Sequence, residues 1–126
     1  MKKKNTLLLF LCLFSLWAVA QEKKPVKIAC VGNSITYGSG IKNQFQNSYP
    51  GLLSQLLGEG YDVRNFGISA RVLLNKGDHP YMHEQKFRDL LAFQPDIVTI
   101  KLGTNDSKPW NWRYGKDFKK DLTEML

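Results

Sequence analysis

Val26-Lys27-Ile28-Ala29-Cys30-Val31-Gly32-Asn33-Ser34-Ile35-Thr36 reads as a short buried strand running into a Gly-x-Ser turn. Val26, Ile28 and Val31 favour extended backbone, and Gly32 permits a change of direction that a residue with a Cβ resists. The Ser34 hydroxyl is thereby held up at the end of the strand. Taken locally, Ser34 suits a nucleophile, a phosphate ligand or a helix cap, and capping is the most frequent use of serine at such a point. The order of the elements that follow decides among these.

Downstream, Ser48 is placed to cap a helix with Pro50 in its first turn and Leu52, Leu53, Leu56 and Leu57 on one apolar face, closed by Gly58 and Gly60. Residues 61–66 alternate as a strand does, and Gly67 breaks them. Residues 68–78 read as a loop. Pro80 opens a helix carrying Met82, Phe87, Leu90 and Leu91 that ends before Pro95. Ile97, Val98, Thr99 and Ile100 form a β-branched run expected in a strand covered on both faces, and Gly103 ends it. Phe118, Leu122 and Met125 recur at helical spacing in the tail.

Strand and helix therefore alternate three times, which predicts an α/β fold with a parallel sheet, right-handed crossovers and helices on both faces. In such a sheet the loops after the strands share one edge, where ligands bind. Gly32-Asn33-Ser34, Gly67-Ile68-Ser69 and Gly103-Thr104-Asn105-Asp106 are thus expected to converge. A serine hydroxyl, a glycine N–H and an asparagine amide brought together suit acyl transfer, because attack on an ester carbonyl creates an oxyanion that needs fixed donors. Taken singly, Gly67 is a strand terminator and Asn105 a turn residue. Their joint placement favours Ser34 as nucleophile.

These turns resemble the motif blocks of the GDSL-type or SGNH hydrolases. Gly32-Asn33-Ser34-Ile35-Thr36 is similar to the first block, Asn65-Phe66-Gly67 to the second and Gly103-Thr104-Asn105-Asp106 to the third, in the family's order and over a stretch running from about Val26 to the last residue. The resemblance implies a flavodoxin-like three-layer α/β/α fold, with Ser34 as nucleophile and Gly67 and Asn105 completing the oxyanion hole. Within the family the nearest likeness is to bacterial esterases that deacetylate carbohydrates, including sialate O-acetylesterase-like proteins. Two departures stand out. Asn33 occupies a position where the family usually has aspartate, and the family's closing Asp-x-x-His, which supplies the general base and its orienting acid, has no match. His79 and His83 fall elsewhere and read as surface or capping residues. The expectation is therefore that residues 21–126 are the N-terminal portion of a longer hydrolase.

Trp110-Asn111-Trp112-Arg113 follows the third strand at the expected active edge. There Trp110 and Trp112 can stack on a sugar ring, or pack the loop onto the domain. The expected substrate is a small-molecule or glycan ester. No ligand-spaced His/Cys cluster suggests a metal, and nothing suggests an organic cofactor.

Residues 1–20 have the order of a secretory signal peptide, with Lys2, Lys3 and Lys4 before an apolar run ending in Ala18-Val19-Ala20. The run is shorter than the roughly 20 residues a membrane span needs, so no stable insertion is expected after cleavage and the mature protein is periplasmic or secreted. Cleavage after Ala20 removes three lysines and no acid, taking the formal charge from +7 to +4. The remaining charges are interspersed and form no basic stripe, which argues against nucleic acid. Cys30 alone remains, as a small buried apolar residue. Nucleotide binding fits poorly, since Gly38-x-Gly40 is followed by Asn43 rather than a third glycine and no Walker sequence occurs. The other alternative is a non-catalytic carbohydrate-binding protein that keeps the fold without its base.

Overall fold

A computed structural model describes residues 23–126, so the signal-peptide reading of residues 1–20 lies outside the described part. Strands β1 (Val26–Gly32), β2 (Tyr61–Gly67) and β3 (Ile97–Lys101) form one parallel sheet in the order β2-β1-β3. The helices are α1 (Ser34–Tyr37), α2 (Gln44–Asn47), α3 (Tyr49–Leu57), α4 (Gln85–Phe93), α5 (Pro109–Trp112) and α6 (Phe118–Met125). Single 3-10 turns at Tyr81–His83 and Gly115–Asp117 precede α4 and α6. The expected parallel α/β architecture is therefore the one the chain adopts.

β1 lies in the middle of the sheet, and Ile28, Ala29, Cys30 and Val31 are accordingly buried. Ala29 and Val31 pack with Phe66, Tyr81, Leu90 and Phe93, and Phe87, Ile100 and Met125 close around them. Tyr81 is wholly buried and donates its hydroxyl to the Phe66 carbonyl at 2.5 Å, and burial pushes its phenol well above the usual range. This bond fastens the segment before α4 to the end of β2.

Several sequence expectations change. β3 is not fully covered on either face: it is an edge strand of this sheet, and Ile97 and Val98, on opposite faces, are each close to half exposed. The expected leucine face of α3 is also largely in solvent, with Leu56 84% exposed, while Pro50 is the helix's buried residue. The helix opened by Pro80 is broken at Glu84, whose extended backbone (ψ 151°) separates the 3-10 turn from α4. Leu91 then faces solvent, and Leu90 and Phe93 carry the contact with the sheet. The loop after β2 is no surface excursion, since Val72, Leu73 and Leu74 are as buried as β1.

Gly32 and Gly67 are required by proximity. A Cβ on Gly32 would run into Thr36 Oγ1 and lie 2.8 Å from the Lys101 carbonyl oxygen. One on Gly67 would collide with the Tyr37 amide nitrogen and lie 2.7 Å from the Thr36 carbonyl carbon. Both obstacles at Gly67 are backbone and cannot swing aside. Gly67→Ala is therefore expected to cost about 1–3 kcal/mol, the range for overpacking. Urea denaturation checks it: a lowered midpoint at unchanged slope is the expected result.

Candidate active site

Asn33, not Ser34, caps α1. Its Oδ1 accepts the Ile35 N–H at 3.1 Å, and Ser34 is the first helical residue. The Ser34 hydroxyl is thus released from the capping role that its local sequence suggested. It is half-buried and makes no side-chain hydrogen bond among the described residues. The Asn33 side chain is 1% exposed, and its Nδ2 has no hydrogen-bond partner among the described residues.

The three turns do converge. Asn33 N–H bonds the Lys101 carbonyl at 3.3 Å, tying the first turn to the end of β3. Ile68 N–H bonds the Gly32 carbonyl at 2.9 Å, and the Ser39 and Ser69 hydroxyls meet at 2.6 Å, tying the first turn to the second. Asn65 Nδ2 donates to the Thr36 carbonyl at 2.9 Å, so the asparagine of the second block holds α1 against β2. The second and third turns meet where Asn105 Nδ2 donates to the Arg71 carbonyl at 3.1 Å.

Gly67 is at the expected place, but its N–H is already given to Asn65 Oδ1 at 2.8 Å. Its carbonyl accepts from Lys86 Nζ at 3.2 Å, and burial draws that ammonium's pKa down. What the glycine supplies is room for the backbone of Thr36 and Tyr37. Ser69, Ala70 and Arg71 all have backbone N–H groups without a partner among the described residues, and Ala70 stands apart from the other two by its backbone. Ala70 takes a left-handed conformation, φ 68°, rare for a residue with a Cβ, and its N–H has no partner among the described residues. Nothing in its composition marks Ala70 in the sequence; a glycine there would have been a signal.

Asn105 keeps its side-chain orientation through the Arg71 bond, and a primary amide has a second N–H to offer. Its neighbour Asp106 is fully buried. Its carboxylate accepts Leu73 N–H at 2.9 Å and Leu74 N–H at 2.8 Å, so it anchors the loop after β2 and does not face a substrate.

The tryptophan loop divides by residue. Asn111 is buried, its amide spent on Asp78 Oδ1 and the Asn105 carbonyl at 3.0 Å each. Trp110 and Trp112 are 55% and 53% exposed. The Trp110 indole N–H reaches Asp78 Oδ2 at 3.2 Å, while the Trp112 ring packs on Phe118 with centroids 5.9 Å apart. Desolvation works to raise the Asp78 carboxyl, but the hydrogen bonds from Asn111 and Trp110 outweigh it and hold the group below the ordinary carboxylate range.

A depressed folded-state value contributes stability above the unfolded-state pKa, and that contribution is lost as pH falls through the folded value. Asp78→Asn is accordingly expected to flatten a small part of the loss of melting temperature between about pH 5 and about pH 3. Paired thermal melts of the variant and the wild type check this, and parallel curves would count against it.

His79 and His83 are both exposed, and neither hydrogen-bonds Ser34 among the described residues. The described residues hold no cluster of His, Cys, Asp and Glu arranged for a metal ion, and none of their helices is long and apolar enough to cross a membrane.

A parallel sheet with these three turns at one edge is the arrangement that the resemblance to SGNH hydrolases implies. The chain belongs to the GDSL-like lipase/acylhydrolase family, whose model matches residues 30–126. It is 55% identical over 107 residues to an acetylxylan esterase of Xylanibacter ruminicola, an alignment covering 85% of this chain and 22% of that protein. Among solved structures it is similar to AlinE4, an SGNH-hydrolase family esterase, at TM-score 0.57 and 22% identity, and to a mutant of that esterase at TM-score 0.59 and 23% identity. Each match covers 81% of this chain and 51% of the esterase. The chain thus spans about a fifth of the curated relative's length and about half that of the solved structures.

Proposed function

We propose that the full-length protein is a secreted serine esterase that removes O-acetyl groups from a carbohydrate. The observation that carries this is the Ser34 hydroxyl, without a hydrogen-bond partner among the described residues, at an edge that also holds the Ala70 N–H, likewise unpartnered among them, and the oriented Asn105 amide. Ser34 Oγ attacks the acetyl carbonyl while a base takes its proton. The resulting oxyanion is held by the N–H groups of Ser34 and Ala70 and by Asn105 Nδ2. Gly67, first expected as a donor, keeps the strand end close to α1 instead. Collapse expels the sugar oxygen, which takes up the proton, and water then hydrolyses the acetyl-serine to release acetate. The base must lie within hydrogen-bond reach of Ser34, and this reading assigns it to the Asp-x-x-His that the family resemblance implies, a motif the 126-residue sequence does not contain. Trp110 and Trp112 offer exposed indole faces for the sugar, and the likeness to an acetylxylan esterase supports a glycan as the acyl carrier.

The test uses the full-length protein. Acetate release from acetylated xylo-oligosaccharides is expected, together with covalent labelling by a fluorophosphonate on the Ser34 peptide. Labelling of a different residue, or tight binding of the oligosaccharide without hydrolysis, would overturn the proposal; the second result would favour a carbohydrate-binding protein.

A further inference from the structure

Ala70 and Asn105 lie in different turns, yet a single side chain and its own backbone reach both. Arg71 Nη1 donates to the Ser69 carbonyl at 3.0 Å. That carbonyl belongs to the same peptide group as the Ala70 N–H, so a bond to its oxygen fixes the plane of the unit and polarises the N–H opposite. The Arg71 carbonyl is the acceptor that orients Asn105 Nδ2.

The guanidinium is itself held. Glu84 Oε1 accepts from Arg71 Nε and pairs with Nη2, both at 2.8 Å, with the two side chains only 26% and 30% exposed. Glu84 in turn stands on the core, because its N–H bonds the carbonyl of the fully buried Tyr81. The planar fork of arginine is needed here, since one group must face a carboxylate and a carbonyl together.

We propose that Arg71, braced by Glu84, is a positioning residue that sets both oxyanion donors, the Ala70 N–H through the Ser69 carbonyl and the Asn105 amide through its own carbonyl. The proposal rests on the ester-hydrolase reading above. It adds a stabilising arm for a left-handed alanine that would otherwise be free to relax. The bracing acts on the transition state, where the charge develops, and leaves ground-state sugar binding alone.

The experiment compares Ser34→Ala, Arg71→Ala, Arg71→Lys and Glu84→Gln in the full-length protein. Arg71→Ala is expected to lower kcat about 10- to 100-fold with KM nearly unchanged, less than or equal to the loss of a whole oxyanion donor. Arg71→Lys, which can face only one partner at a time, and Glu84→Gln are expected to fall between Arg71→Ala and wild type. Affinity for a trifluoromethyl ketone analogue, which forms an oxyanion on the serine, should fall in parallel with kcat. A role in folding alone would lower the melting temperature without that parallel. If Arg71→Ala does not fold, Arg71→Lys and Glu84→Gln decide by the same readouts. Wild-type kcat and analogue affinity in the Arg71 and Glu84 variants, with Ser34→Ala inactive, would overturn the positioning role and leave the hydrolase reading standing. Activity retained by Ser34→Ala would overturn both.

Discussion

Ser34→Ala is expected to lower acetate release by the full-length protein by at least about 10³-fold while leaving its melting temperature almost unchanged, because loss of a serine nucleophile removes the covalent route entirely. The two halves of this expectation come from different observations. The stability half follows from the cap. Had Ser34 capped α1, its loss would cost about 0.5–2 kcal/mol, but Asn33 Oδ1 holds the Ile35 N–H and the serine hydroxyl bonds nothing among the described residues. Asn33→Ala should therefore show the reverse balance in melting temperature, with the helix start loosened. Activity assays and thermal melts on the same two preparations check the pair. A Ser34→Ala protein that melts far below wild type would mean that the hydroxyl has a structural partner after all.

Much of this edge was legible beforehand because parallel α/β topology converts sequence order into spatial convergence. The β-branched residues of β1 and β3 and the glycines after each strand located three turns, and the ladder pairs brought them together. What the sequence could not reveal depends on partners chosen by the fold. A Gly-Asn-Ser run offers two side chains able to cap, and only the backbone at Asn33 assigns the cap to it. Gly67 invited a donor role because glycine permits close approach, but the neighbour that approaches is the backbone of Thr36 and Tyr37. Ala70 gave no signal, since its left-handed backbone is a property of the folded loop and not of an alanine side chain. Val72, Leu73 and Leu74 lacked either regular period, so their burial depended on an anchor 33 residues away in sequence. The exposed Ile97 and Val98 show the opposite limit: a β-branched run states that a strand is suited to burial, and the neighbours present determine whether it is buried.

That distant anchor gives the largest expected loss of stability. Asp106→Ala should destabilise the protein by about 2–6 kcal/mol, because two buried backbone N–H groups lose their acceptor and each unsatisfied group costs about 1–3 kcal/mol. The Leu73 and Leu74 amides lie among wholly buried side chains where water cannot replace the carboxylate. Asp106→Asn is expected to recover only part, since its single acceptor oxygen can serve one amide well while its NH₂ points two further donors at the same groups. Urea denaturation measures this as a lower midpoint at unchanged slope, with the order wild type, Asp106→Asn, Asp106→Ala. Catalysis should fall with it for a geometric reason. Leu73 and Leu74 continue the chain from Arg71, whose carbonyl orients the Asn105 amide, so releasing them frees the loop that carries Ala70 as well. Asn105→Ala separates the two effects: it deletes one proposed donor but leaves the Asp106 bonds in place, so turnover should drop about 10²–10³-fold with a smaller change in stability. Equal destabilisation by the two variants would mean that Asp106 does not anchor the loop independently of its neighbour.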